Sequence, residues 1–107
     1  MIFKIANRAA WRAACDEGEF RGSADDLRDG FIHFSAPHQV RETAYKHFKG
    51  QHDLLLLAID ETRLGDALVW EPSRGGDLFP HLYGALPTSL ALWEKALDLD
   101  ADGLPII

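Results

Sequence analysis

The sequence predicts an α+β domain: two N-terminal helices packed on a mixed or antiparallel sheet of five or six strands. Three observations predict it. The 107 residues suit a single domain, 1–107, with one core. Helical and extended patterns alternate through the first half, after which extended ones dominate. The apolar run Leu54 to Ile59, bracketed by Asp53 and Asp60, has no solvent face and reads as an interior strand.

The elements follow in order. Ile2 to Ala6 alternates apolar and polar residues, which marks a first strand. Asn7 is a good N-cap for the alanine-rich helix Arg8 to Glu17, and Gly18 suits its left-handed end. Trp11, Ala14 and Cys15 fall on one face, so Cys15 reads as a small core residue. Residues 19–23 read as a loop, with Ser23 capping a short helical turn through Leu27. Asp29-Gly30 turns the chain into the strand Phe31 to Phe34. Ser35 is the expected cap of the next helix, with Pro37 in its first turn. Val40, Thr43, Ala44, His47 and Phe48 keep helical spacing until Gly50. Ala67 to Glu71 is a further strand that Pro72 ends. Residues 73–80 read as a glycine-rich loop, followed by a short strand at Leu82-Tyr83. Leu90 to Leu99 fits strand or helix, and its alternation favours strand. The tail from Asp100 reads as irregular.

Composition excludes several roles. The formal net charge of −6 argues against sequence-independent binding to nucleic acid, which needs clustered Lys and Arg. It leaves room for a small phosphorylated ligand held by one or two arginines. The single cysteine, Cys15, rules out an internal disulfide. The first residues lack a signal peptide's apolar core, and the longest apolar run is too short to span a membrane. The expectation is a soluble cytoplasmic protein with no membrane partner. The five histidines show no metal-ligand spacing, so no metal is expected.

Three polar clusters interrupt apolar segments and point to one small-molecule site. His33 lies between Ile32 and Phe34; a lone histidine there is ordinarily exposed or satisfied within the core, but Ser35 stands two residues on at a helix start that offers free N–H groups to an anion. Arg74 stands beside Gly75 and Gly76, which let backbone approach a ligand closely; Glu71 ends the strand before them. A solvent-exposed turn explains that stretch equally well. His81 and Tyr83 sit two apart on one side of a short strand; packing explains both, and they also suit the wall of a planar or sugar ligand. Arg21 and Ser23 form a weaker basic turn. His33, Glu71 and His81 are therefore the candidate catalytic residues. Arg21, Ser23, Ser35, Arg74, Gly75, Gly76 and Tyr83 are the candidate ligand-binding ones. No Ser-His-Asp arrangement or nucleophile-elbow motif is readable.

On the segments Phe20 to Ser23, Asp29 to Ser35, Gln39 to Phe48, Trp70 to Gly76 and Phe79 to Gly84, the sequence resembles the bacterial DUF952 family. That family is thought distantly similar to the ADP-ribosyltransferase fold, including the tRNA 2′-phosphotransferases. The resemblance implies a nucleotide-type pocket, with NAD or a phosphorylated nucleotide as ligand and NAD as a substrate in the transferase branch. It implies contacts from Ile32-His33-Phe34-Ser35 to ribose or phosphate, and a catalytic role for Glu71. The first strand departs from the transferase pattern, since Lys4 is its only polar residue. That departure favours a non-catalytic binding module over catalysis; a structural or partner-binding domain without a ligand is a third alternative, ranked below a ligand pocket.

Overall fold

The structure, a computed structural model, describes residues 1–107 except the side chain of Arg74. Strand β1 (Ile2–Asn7) pairs antiparallel with β4 (Leu54–Ile59), and β4 pairs in turn with β8 (Ala91–Leu97). Thus the unbroken apolar run lies in the middle of its sheet. All six residues of β4 are buried, because alternate side chains enter two different cores. Leu55, Leu57 and Ile59 meet Trp11, Phe20, Ile32, Phe34, Leu82 and Leu86. Leu54, Leu56 and Ala58 meet Phe3, Ile5, Val40 and Ala44.

Helix α1 (Arg8–Glu17) begins where Asn7 accepts a hydrogen bond from Ala10 N–H and ends at Gly18, whose φ is +89°. Trp11 and Ala14 are its buried residues, and Cys15 is exposed. The buried stripe is narrow and leans to the Ala14 side of Trp11, so Cys15, on the other side, is left in solvent rather than in the core. Residues 19–20 are not loop but strand β2 (Glu19–Phe20), paired with β7 (Leu86–Pro87). Helix α2 (Ala24–Asp29) is capped at Ser23 and ends at Gly30.

Strand β3 (Ile32–His33) is shorter than the pattern suggested and pairs with β6 (Leu78–Leu82), which pairs with β5 (Leu68–Pro72). The β6 strand takes in residues assigned from sequence to a loop, and Tyr83 lies just outside it. The cause is the tight turn at residues 74–76, which folds β6 back along β5 in register, Pro72 opposite Leu78.

Ser35 does not cap a helix. Its backbone bridges Phe3, with Phe3 N–H donating to Ser35 O at 2.8 Å and Ser35 N–H to Phe3 O at 2.9 Å. The chain therefore stays extended there, and helix α3 (Val40–His47) starts five residues later. This bridge fastens the β1 sheet to the β3 sheet. The expected single sheet of five or six strands is instead eight short strands in three antiparallel sheets, with three α-helices rather than two. No described helix is long and apolar enough to cross a membrane.

Candidate functional site

The site grows from Asp26. In the capping box of α2, Ser23 Oγ accepts from Asp26 N–H at 3.3 Å, and Ser23 N–H donates to Asp26 Oδ2 at 2.9 Å. A capping carboxylate normally faces solvent. This one is 2 % exposed, because α2 lies over strand β1 and presents Asp26 to Lys4. The Lys4 ammonium is buried too and donates to both carboxylate oxygens, at 3.1 and 2.8 Å, and to the backbone oxygen of His33 at 2.9 Å. All three of its N–H groups are engaged. His33 completes the cluster. Its backbone N–H reaches Asp26 Oδ1 at 3.1 Å and its ring Nδ1 lies 2.5 Å from the same oxygen.

Burial pushes the Asp26 carboxyl up, but the hydrogen bond from His33 and the charge and hydrogen bonds of Lys4 outweigh it. The group is held well below the usual carboxylate range. Burial pushes the Lys4 ammonium down from its ordinary value, with the Asp26 charge opposing. Gly22 makes room for the cluster: at φ +120°, a Cβ there would stand 2.7 Å from Asp26 Cβ.

A second network lies alongside. His33 and His81 are direct cross-strand partners, so both rings stand on one face of the β3–β6 pair. Their centroids are 5.6 Å apart. His81 is 5 % exposed, and its Nδ1 lies 2.8 Å from Glu71 Oε1. The same oxygen accepts from the Tyr83 hydroxyl at 2.7 Å. These bonds, that of Tyr83 first, hold the Glu71 carboxyl below its ordinary value, and the shared bond pushes the Tyr83 hydroxyl up. Phe31 stacks on the His81 ring at 4.0 Å. A carboxylate on Nδ1 fixes the proton there and leaves Nε2 as the basic nitrogen. Among the described residues, Glu71 is the only hydrogen-bond partner of the His81 ring.

Both histidines border a cavity of about 290 Å³. Its walls mix polar groups from α2 and β1 with apolar rings, among them Phe34, Phe48 and Phe79. The volume sits near the lower end of the range for small-molecule sites, roughly 300 Å³. No described group of three or more His, Cys, Asp or Glu side chains is arranged to hold a metal ion.

The structure therefore brings together His33, His81, Glu71 and Tyr83, and it sets Ser23 and Ser35 on the cavity wall. Glu71 and Tyr83 lie behind His81 rather than on that wall. Ser35 hydroxyl pairs with Thr43 Oγ1 at 2.8 Å. Arg21 is exposed, bonded to Glu19, and borders a separate hollow. Ser73 lines the cavity, and the exposed Gly75 and Gly76 follow it in the turn. The Arg74 side chain lies outside the described residues. Lys4 and Asp26 are the residues that sequence reasoning missed as site components. Their signals were present: a lysine inside an otherwise apolar strand, and the Ser23-x-x-Asp26 spacing of a capping box.

The model of the family described as protein of unknown function (DUF952) matches residues 5–94, most of the chain. The chain belongs to the DUF952 family. Its similarity to solved structures agrees. The crystal structure of protein CC0527 from Caulobacter crescentus is 56% identical, with a TM-score of 0.96, over 98% of this chain and 92% of that one. A crystal structure of a double mutant of the same protein is 55% identical, with a TM-score of 0.95 over the same shares. Its solution NMR structure is 57% identical, with a TM-score of 0.86 over 97% and 90%. No curated protein matches the chain. The DUF952 chain here thus shares its whole fold with CC0527. An ADP-ribosyltransferase relationship has no support from these likenesses.

Proposed function

We propose that the cavity is a small-molecule site of nucleotide type and that His81 does general acid–base work in it. The observation that carries the reading is the convergence of His33 and His81 from neighbouring strands on one cavity, each ring clamped by a carboxylate. A clamp on Nδ1 fixes tautomer and ring orientation, which a proton-transferring histidine requires. Glu71 then acts through His81, as a positioning residue. Tyr83 and Phe31 hold that pair in place from behind. The site's make-up supports the ligand class: aromatic walls for a base and polar groups for a ribose. NAD, ADP-ribose and a 2′-phosphorylated nucleotide are the candidates.

A second reading, binding without turnover, is favoured by one observation. Both ring nitrogens of His33 already face carboxylates, Asp26 at 2.5 Å and Asp29 at 2.9 Å. A ring so engaged has no nitrogen free to exchange a proton with a ligand in this arrangement.

Calorimetry with NAD, ADP-ribose and a 2′-phosphorylated nucleotide tests the site. Saturable binding of at least one, weakened in His81→Asn, supports it. Product formation on incubation separates catalysis from binding alone. Failure of all three to bind at millimolar concentration overturns the nucleotide reading.

A further inference from the structure

Asp29 closes the outer side of His33. Its Oδ2 lies 2.9 Å from His33 Nε2, and its Oδ1 accepts from Arg28 Nε at 3.1 Å. One carboxylate thus lies between an imidazole and a guanidinium, at ion-pair distance from the first and hydrogen-bonded to the second. Fork-like capture of this kind is how proteins hold a free carboxylate or phosphate. The three side chains all border the cavity.

The two carboxylates on His33 differ in kind. Asp26 is buried, fixed by five hydrogen bonds and tied to Lys4. Asp29 is the last residue of α2, and its side chain is 35 % exposed. Nothing but Arg28 and His33 holds its carboxylate among the described residues. Arg28 also reaches Asp25 Oδ1 at 3.2 Å, so it keeps a partner if Asp29 rotates away.

We propose that Asp29 is an internal stand-in for the oxyanion of the ligand: a phosphate or carboxylate group takes its place between His33 Nε2 and Arg28 Nε when the ligand enters. This rests on the reading that the cavity takes a ligand, and it deepens that reading by fixing where the anionic group sits. The exchange swaps one oxyanion for another on the same two donors. It needs only rotation of an exposed side chain, which leaves α2 in place. Asp29 then tunes selectivity, because it competes with every anion and only a ligand with further contacts displaces it.

The test follows the His33 ring signals by NMR while inorganic phosphate, and separately acetate, is titrated into the native chain, Asp29→Ala and Asp29→Asn. The expected result is a gain in phosphate affinity of about fivefold in both variants, near the upper end of what an exposed ion pair returns. Adding Arg28→Gln should abolish the gain. Acetate should follow the same order with weaker binding. Unchanged or weaker phosphate binding at His33 in folded Asp29 variants overturns the proposal. If the nucleotides bind by calorimetry while the Asp29 variants gain nothing, the stand-in falls and the nucleotide site survives. If phosphate reports at His33 and none of the nucleotides binds, the reverse holds.

Discussion

His33 on β3 and His81 on β6 are cross-strand partners whose rings meet edge to face, centroids 5.6 Å apart. Each is oriented by a different carboxylate, from a different element: Asp26 of α2 and Glu71 of β5. The site is thus assembled by topology. β3 and β6 set the pair, β5 brings Glu71, and the Ser35–Phe3 bridge brings β1 with Lys4 under α2.

Asp26 is the joint of that assembly. Replacing it with Asn leaves the Lys4 ammonium buried without a counter-charge. The expected loss is about 3–5 kcal/mol, the usual cost of breaking a buried pair from one side. Adding Lys4→Met should recover part of it. Denaturant unfolding of the three chains checks this, and an Asp26→Asn variant as stable as the parent contradicts it.

The same carboxylate gives the fold an acid limit. Its folded-state value lies below the ordinary value of about 3.9, so the unfolded chain binds the proton more readily. The stability it contributes is full above about pH 4 and is lost as pH falls through the folded-state value. Unfolding free energy measured between pH 6 and pH 2 should fall on acidification, and less steeply in Asp26→Asn. Parallel curves for the two chains contradict the assignment.

Gly22 serves by lacking a side chain. An alanine there meets Asp26 Cβ at 2.7 Å on a backbone with φ +120°. Gly22→Ala should cost about 1–3 kcal/mol, the range for a strained backbone position. It should also perturb the His33 ring signals, because Asp26 must shift. Gly65→Ala, with a positive φ and open space around it, is the control for backbone strain alone.

Leu56 tests the interior strand. It is 4 % exposed in the middle of β4, between β1 and β8. Leu56→Asp buries an unpaired charge and costs several kcal/mol, roughly, so the domain should not fold. A soluble variant with a cooperative unfolding transition contradicts that placement.

Much of the fold was legible because its signals are local. Asn7 and Gly18 bound α1 as their side-chain and backbone chemistry dictates, and the period of Leu54 to Ile59 has no reading with a wet face. The errors fell where tertiary contacts decide. Ser35 has a good N-cap side chain, but its backbone is claimed by Phe3, 32 residues earlier. Residues 78–80 look like loop until β5 lies beside them. For the site, histidines in apolar runs stood out, and Glu71 and Tyr83 with them. Asp26 did not, because a capping aspartate and a buried hub read alike in sequence. Its partner Lys4 is 22 residues away, and no spacing rule links them.

On the proposed function, His33 and His81 together contact a nucleotide-type ligand in the cavity. The most direct measurement is an NMR titration of both imidazole rings with ADP-ribose, on the intact chain at neutral pH. The signals of both rings should move and saturate along one binding curve, while those of His52, on an exposed loop, stay still. Ring signals of His33 and His81 that stay fixed up to millimolar ADP-ribose contradict it.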